Sequence, residues 1–92
     1  MPINLEQAKD KLRLDNDFND SIIQSLVDAV PNYIESTTGM TVEQQEAEPL
    51  ATTVGGFLVQ LWYYPENTDT YRLKQVIDSL LMTLKDRVNK NE

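Results

Sequence analysis

The sequence predicts an all-α fold: a small four-helix domain with a kinked second helix and a long C-terminal helix. Apolar residues recur at three- and four-residue spacing in four stretches of the 92-residue chain, the mark of amphipathic helices. Each stretch opens or closes on residues that start or stop helices. The connections between them are short, as in helical bundles. No internal repeat or low-complexity segment interrupts the plan, and residues 1–92 read as a single domain.

The first helix is expected over residues 5–13. Asn4 and Gln7 make a capping box, and Leu5, Ala8 and Leu12 share one face. Leu14 to Asn16 break it. Asp17 is then the expected N-cap of the second helix, with Asp20 adding favourable charge in its first turn. Ile22, Ile23, Leu26, Val27, Ala29, Val30, Tyr33 and Ile34 follow at helical period. Pro31 lacks an amide donor and crowds the carbonyl of Val27. It predicts a kink near residues 27–30, or, alternatively, a complete break. Gly39 suits a left-handed helix stop, with Met40 placed for the accompanying apolar contact.

Residues 41–48, "TVEQQEAE", carry three glutamates and no helical stripe; they predict a loop, with a short extended piece at Thr41 and Val42. Pro49 suits the first turn of a third helix, whose apolar face is Leu50, Val54, Phe57, Leu58, Leu61 and Trp62, and which Pro65 ends. Gly55 and Gly56 stand inside it, each costing roughly 1 kcal/mol against alanine. Close approach of another helix is the expected compensation, rather than a hinge. "PENTD" reads as a loop. A last helix follows from Thr70 to Val88 on a broad stripe of Leu73, Val76, Ile77, Leu80, Leu81, Leu84 and Val88, and the tail "NKNE" is expected to fray.

Composition narrows the chemistry. A chain this short has a small core of its own, which assembly with partners would support. There is no cysteine and no histidine, so disulfides, thiolates and the commonest general base and metal ligand are all lacking. No run is apolar enough to span a membrane, and the N-terminal residues do not have the pattern of a signal peptide. Between Asp15 and Asp69 there are ten acids and not one lysine or arginine, within a net charge of −7. Such a section repels phosphate and argues against gripping a nucleic acid. It is either a solvated acidic surface or one that faces DNA without holding it.

The stretch "LRLDNDFNDS" tests a calcium site. From Asp15, residues Asp17 and Asn19 fit the third and fifth positions of an EF-hand loop. Asp20 stands where glycine is needed, and Leu26 where a bidentate glutamate is needed. The stretch reads as the end of one helix and the start of the next. Ser21, Ser25, Ser36 and Ser79 have no histidine to activate them, and Lys9, Lys11, Lys74, Lys85 and Lys90 read as exposed. "VGGF" lies inside a helix with no following lysine, so it is no phosphate loop. No catalytic, metal or cofactor residue is assigned. Trp62, Tyr63 and Tyr64 read as core packing with polar edges at the rim, or as a partner anchor. The last helix is broader in its apolar stripe than one seam needs, and it carries Arg72, Lys74, Lys85, Arg87 and Lys90. It can meet the acidic middle section of a neighbour, with weak pairs of about 0–1 kcal/mol each that set register.

The order of these signals resembles the phage head–tail connector proteins, small helical adaptor or head-completion proteins of long-tailed phages and prophages that are often described as possible DNA-packaging proteins. The resemblance rests on Leu14-Asp15, the acidic run Asp17 to Asp20, Ile34-Glu35 and the Thr38-Gly39 stop. The later "LVQLWYYPEN" and "VIDSLLMTLKDR" extend it over nearly the whole chain. Pro31 stands where the family more usually has a helix-forming residue, which bears on the straightness of the second helix. The resemblance implies a structural, non-enzymatic role: a homo-oligomeric ring under the portal protein that extends the DNA channel and docks a downstream neck or tail-completion protein. DNA would pass without specific binding and no membrane would be involved. The implied place is the virion neck, reached from the host cytoplasm during assembly. Arg72, Lys74, Leu81, Lys85, Arg87, Val88 and Lys90 are the expected subunit or portal interface. Glu43, Glu46 and Glu48 are the expected acidic channel or inter-subunit face, and Asn4, Asp17 and Gly39 are structural caps. The alternative from charge alone is an acidic helical partner-binding regulator, an inhibitor or DNA mimic.

Overall fold

The computed structural model describes residues 3–64 and 69–90. Among them are five helices and no strand: α1 (Leu5–Leu12), α2 (Asp20–Thr38), α3 (Val42–Glu46), α4 (Pro49–Tyr63) and α5 (Thr70–Lys90). The expected stop at Pro65, most of the "PENTD" loop, and Asn91 and Glu92 of the tail lie outside the described residues. Asn89 and Lys90 continue α5 instead of fraying.

α1 opens as its sequence predicts. Asn4 Oδ1 accepts from the Gln7 amide at 2.8 Å, and Gln7 Oε1 accepts from the Asn4 amide at 2.9 Å. It closes one residue earlier than expected, because Arg13 takes a left-handed conformation (φ 60°). The Leu14 amide then reaches the Lys9 carbonyl and the Arg13 amide the Asp10 carbonyl, the paired bonds of a Schellman stop.

The expected cap at Asp17 is corrected. α2 begins at Asp20 with Asn19 in the cap position and no side-chain cap bond. A long-range contact explains this: the Asn19 side-chain Nδ2 donates to the Tyr63 hydroxyl at 2.6 Å. Asn16 accepts from the Phe18 amide at 3.2 Å, an Asx turn that shapes the connection. Asp20 turns its carboxylate to Lys9 Nζ, 2.9 Å away, and ties α2 to α1.

α2 runs through Pro31 without a break. It ends at Gly39 (φ 81°), whose amide donates to the Glu35 carbonyl. Thr38 helps the exit, accepting from the Met40 amide at 3.0 Å.

The stretch expected to be a loop holds α3. Thr41 and Gln44 form a second capping box, so a local polar signal, not an apolar stripe, makes this helix. Gln45, fully buried, fastens it to the core: its Nε2 donates to the Pro31 carbonyl at 3.0 Å and the Met40 carbonyl at 2.9 Å. α4 then starts with Pro49 in its first turn, and Glu48 accepts from the Leu50 amide at 3.2 Å.

α2 and α4 form the centre. Each packs on α1, α3, α5 and the other, while α1 and α5 do not touch. Val27, Val30 and Ile34 of α2, Val54 and Leu58 of α4, and Leu84 of α5 are wholly buried. Gly55 accounts for the closeness: a Cβ there would lie 3.1 Å from Ile3 Cγ2 and 3.2 Å from Val30 Cγ1. Gly56 is different. The atoms nearest to a Cβ there belong to the side chain of Lys11, at an ordinary contact distance of 3.6 Å, and the Lys11 ammonium sits 4.3 Å from the centre of the Phe57 ring.

The two glycines therefore separate in a melting experiment. Gly55→Ala lowers stability by about 1 kcal/mol, overpacking outweighing helix propensity. Gly56→Ala raises it by up to about 1 kcal/mol through the same propensity. The Lys9–Asp20 tie gives a pH test. Its hydrogen bond to Asp20 raises the Lys9 pKa, so its stabilising contribution is complete below the ordinary lysine value and lost as pH rises through the raised one. Lys9→Met is expected to melt below the parent chain at pH 7 and to match it once lysine has deprotonated.

Candidate functional site

α5 carries most of the expected interface, and its packing sorts those residues into three groups. Ile77, Leu81 and Leu84 face the core. Leu81, only 8% exposed, is a core residue of its own chain and not a surface contact. Val88 is half-buried against the same core. The remaining positions fall on two separate exposed rows, because residues three or four apart share a helix face.

One row is Tyr71, Lys74, Asp78, Met82 and Lys85, all exposed. Neither lysine forms an ion pair among the described residues. The other row carries Arg72, Val76, Thr83, Arg87 and Lys90, also exposed, and has no acid. At its far end Arg87 pairs with Glu48 of the same chain. Arg87, Val88 and Lys90 join Met40, Gln44 and Glu48 around an open groove of about 390 Å³. At its near end Arg72 and Val76 meet Phe57, Gln60 and Tyr64 around a groove of about 240 Å³.

Glu48, expected on an acidic channel or inter-subunit face, is thus engaged inside the chain. It caps α4 and holds α5 at once. Glu43 and Glu46 are exposed on α3. The structure brings Glu48, Arg87, Val88 and Lys90 together, but not Lys74 and Lys85, which lie on the other row.

α2 shows a feature that its periodicity concealed. Ile22, Leu26, Ala29 and Tyr33 form an outer row, of which Ile22 is 56% exposed. Phe18, in the turn before α2, is 87% exposed. Tyr33 packs edge-on against Trp62, with ring centres 5.4 Å apart. Tyr63 stacks edge-on with Tyr64. The aromatic run is therefore a rim that joins α2 and α4.

Among the described residues no group of three or more metal-ligating side chains gathers. In the acidic turn, Asp20 is held by Lys9 and Asn16 by the Phe18 amide, so the turn is organised by its own contacts. No helix among the described residues is long and apolar enough to cross a membrane.

A family model, Phage gp6-like head-tail connector protein, matches residues 2–91. The chain belongs to that family. No curated protein and no solved structure matches it. The family is structural and not enzymatic.

Glu48 has two partners and Arg87 one, which orders their variants. Glu48→Ala is expected to cost about 1–2 kcal/mol, losing an N-cap as well as the ion pair. Arg87→Ala should cost no more than about 1 kcal/mol. Urea unfolding of both variants checks the order.

Proposed function

We propose that this connector chain is an adaptor of a tailed phage or prophage that forms a ring beneath the portal. The ring extends the DNA channel and docks the next neck or tail-completion protein. The family match over residues 2–91 carries this reading. It is supported by exposed apolar and basic positions that the chain's own core does not use.

The charge pattern suits a passage for DNA. Carboxylates dominate residues 15–69, and like charge keeps a sliding duplex from adhering. In the assembled neck the acid-rich elements would line or border the channel, while α5 contacts a neighbour or the portal. The chain would be made in the host cytoplasm and work in the virion neck.

The test is to mix the chain with its cognate portal and image the complex end-on. The expected result is a closed ring of additional density coaxial with the portal. No ring across concentrations up to about millimolar, or a single copy bound tightly to one basic protein, would overturn the reading.

A further inference from the structure

We propose that the outer apolar row of α2 in one copy seats on the Tyr71–Lys85 row of α5 in a second copy. The inference rests on the ring reading and specifies which two surfaces would make the ring.

Each row exposes large apolar side chains beyond those the fold uses: Leu26 and Tyr33 of the α2 row pack partly on their own chain, but the residues at its open end do not. Phe18 and Ile22 stand out on the α2 side. On α5, Tyr71 is 75% and Met82 60% exposed. The rows match in length. From Ile22 to Tyr33 the helix rises about 17 Å, and from Tyr71 to Lys85 about 21 Å. Two such rods can lie against each other along most of their contact faces.

Charge selects the pairing. The α2 side is headed by Asp15 and Asp17, with no basic residue between residues 15 and 69. Asp15 and Asp17 form no ion pair among the described residues, although Lys9 lies near enough to feel the charge of Asp17. On α5, Lys74 and Lys85 lie on the row with Asp78 between them, and exposed Asp86 stands at its edge one turn from Met82. Placing α2 on α2 opposes carboxylates with no cation in either row to offset them. Placing α2 on α5 sets Asp15 and Asp17 against Lys74 and Lys85, which favours that pairing and its register.

That pairing has a geometric consequence. The two rows share no residue, so one copy can use both. A contact between two different surfaces is head-to-tail, and it propagates into a ring when the rotation closes. The second α5 row is less suited, because Arg87 is already satisfied by Glu48. A single helix-row contact falls short of the roughly 800 Å² per partner of a standard interface. Each contact is therefore weak alone and strengthened by closure or by a portal template.

The chain has no cysteine, so one introduced thiol is unique. Ile22→Cys and Met82→Cys replace exposed residues, and circular dichroism confirms that both variants fold. The two are mixed at about millimolar concentration under mild oxidation. The mixed I22C–M82C disulfide is expected to form about tenfold faster than either homodimer, and than a control mixture of Thr53→Cys with M82C. Reversing Asp15 and Asp17 to lysine should remove the advantage, and reversing Lys74 and Lys85 to glutamate in the partner should restore it. Homodimers forming as fast, or no advantage over the control, would overturn the surface pair. If the parent chain still forms rings on the portal in that case, the ring reading survives and only the surface pair falls. A preferred mixed disulfide without any ring would keep the pair and sink the ring. Loss of portal binding by Ile22→Glu, with no preferred mixed disulfide, would assign the α2 row to the portal and overturn the proposal.

Discussion

The approach of α2 to α4 is the constraint on which the rest of the molecule depends. Gly55 lets Val30 and Ile3 come within a distance that any side chain would disturb. Once those two helices are fixed, α1 and α5 have surfaces to pack on, and neither needs the other. α3 packs on both and is fastened by a buried side-chain amide, which bonds one carbonyl on α2 and one just beyond its end. A small chain thus closes its core with two central helices and leaves the outer faces of α2 and α5 exposed.

That economy explains why core and interface were hard to tell apart in the sequence. Seven apolar positions on α5 look alike when read as periodicity. In the fold, Ile77, Leu81 and Leu84 are interior and Val76 is outside. On α2, the same apolar run supplies an inner row through Val27, Val30 and Ile34 and an outer row through Ile22 and Ala29. A broad stripe announces surplus apolar surface, but only the position of the neighbouring helices says which edge is surplus.

Local chemistry was more legible than long-range contact. The Asn4–Gln7 box, the Gly39 stop, Pro49 in the first turn of its helix, and Gly55 as a close-packing position all follow from rules that span a few residues. α3 carried the same kind of signal in Thr41 and Gln44, but its lack of an apolar stripe masked it. Asp17 yielded the cap position to Asn19 because Asn19 bonds Tyr63, 44 positions along the chain. The tie of Glu48 to Arg87 spans 39 positions. No local pattern reveals such pairs, and the second of them makes Glu48 a brace within its own chain. The left-handed Arg13 was likewise invisible, since arginine is not a residue that favours that conformation.

The central claim is that the outer faces of α2 and α5 are left open so that assembly can cover them. Hydroxyl-radical footprinting of Phe18, Tyr71 and Met82, in the free chain and in the assembled neck, tests it directly. These residues are reactive in kind and exposed in the fold. The account predicts that all three lose reactivity on assembly while half-buried Trp62 changes little. Undiminished reactivity at Phe18, Tyr71 and Met82 in a neck that demonstrably contains the chain would contradict it.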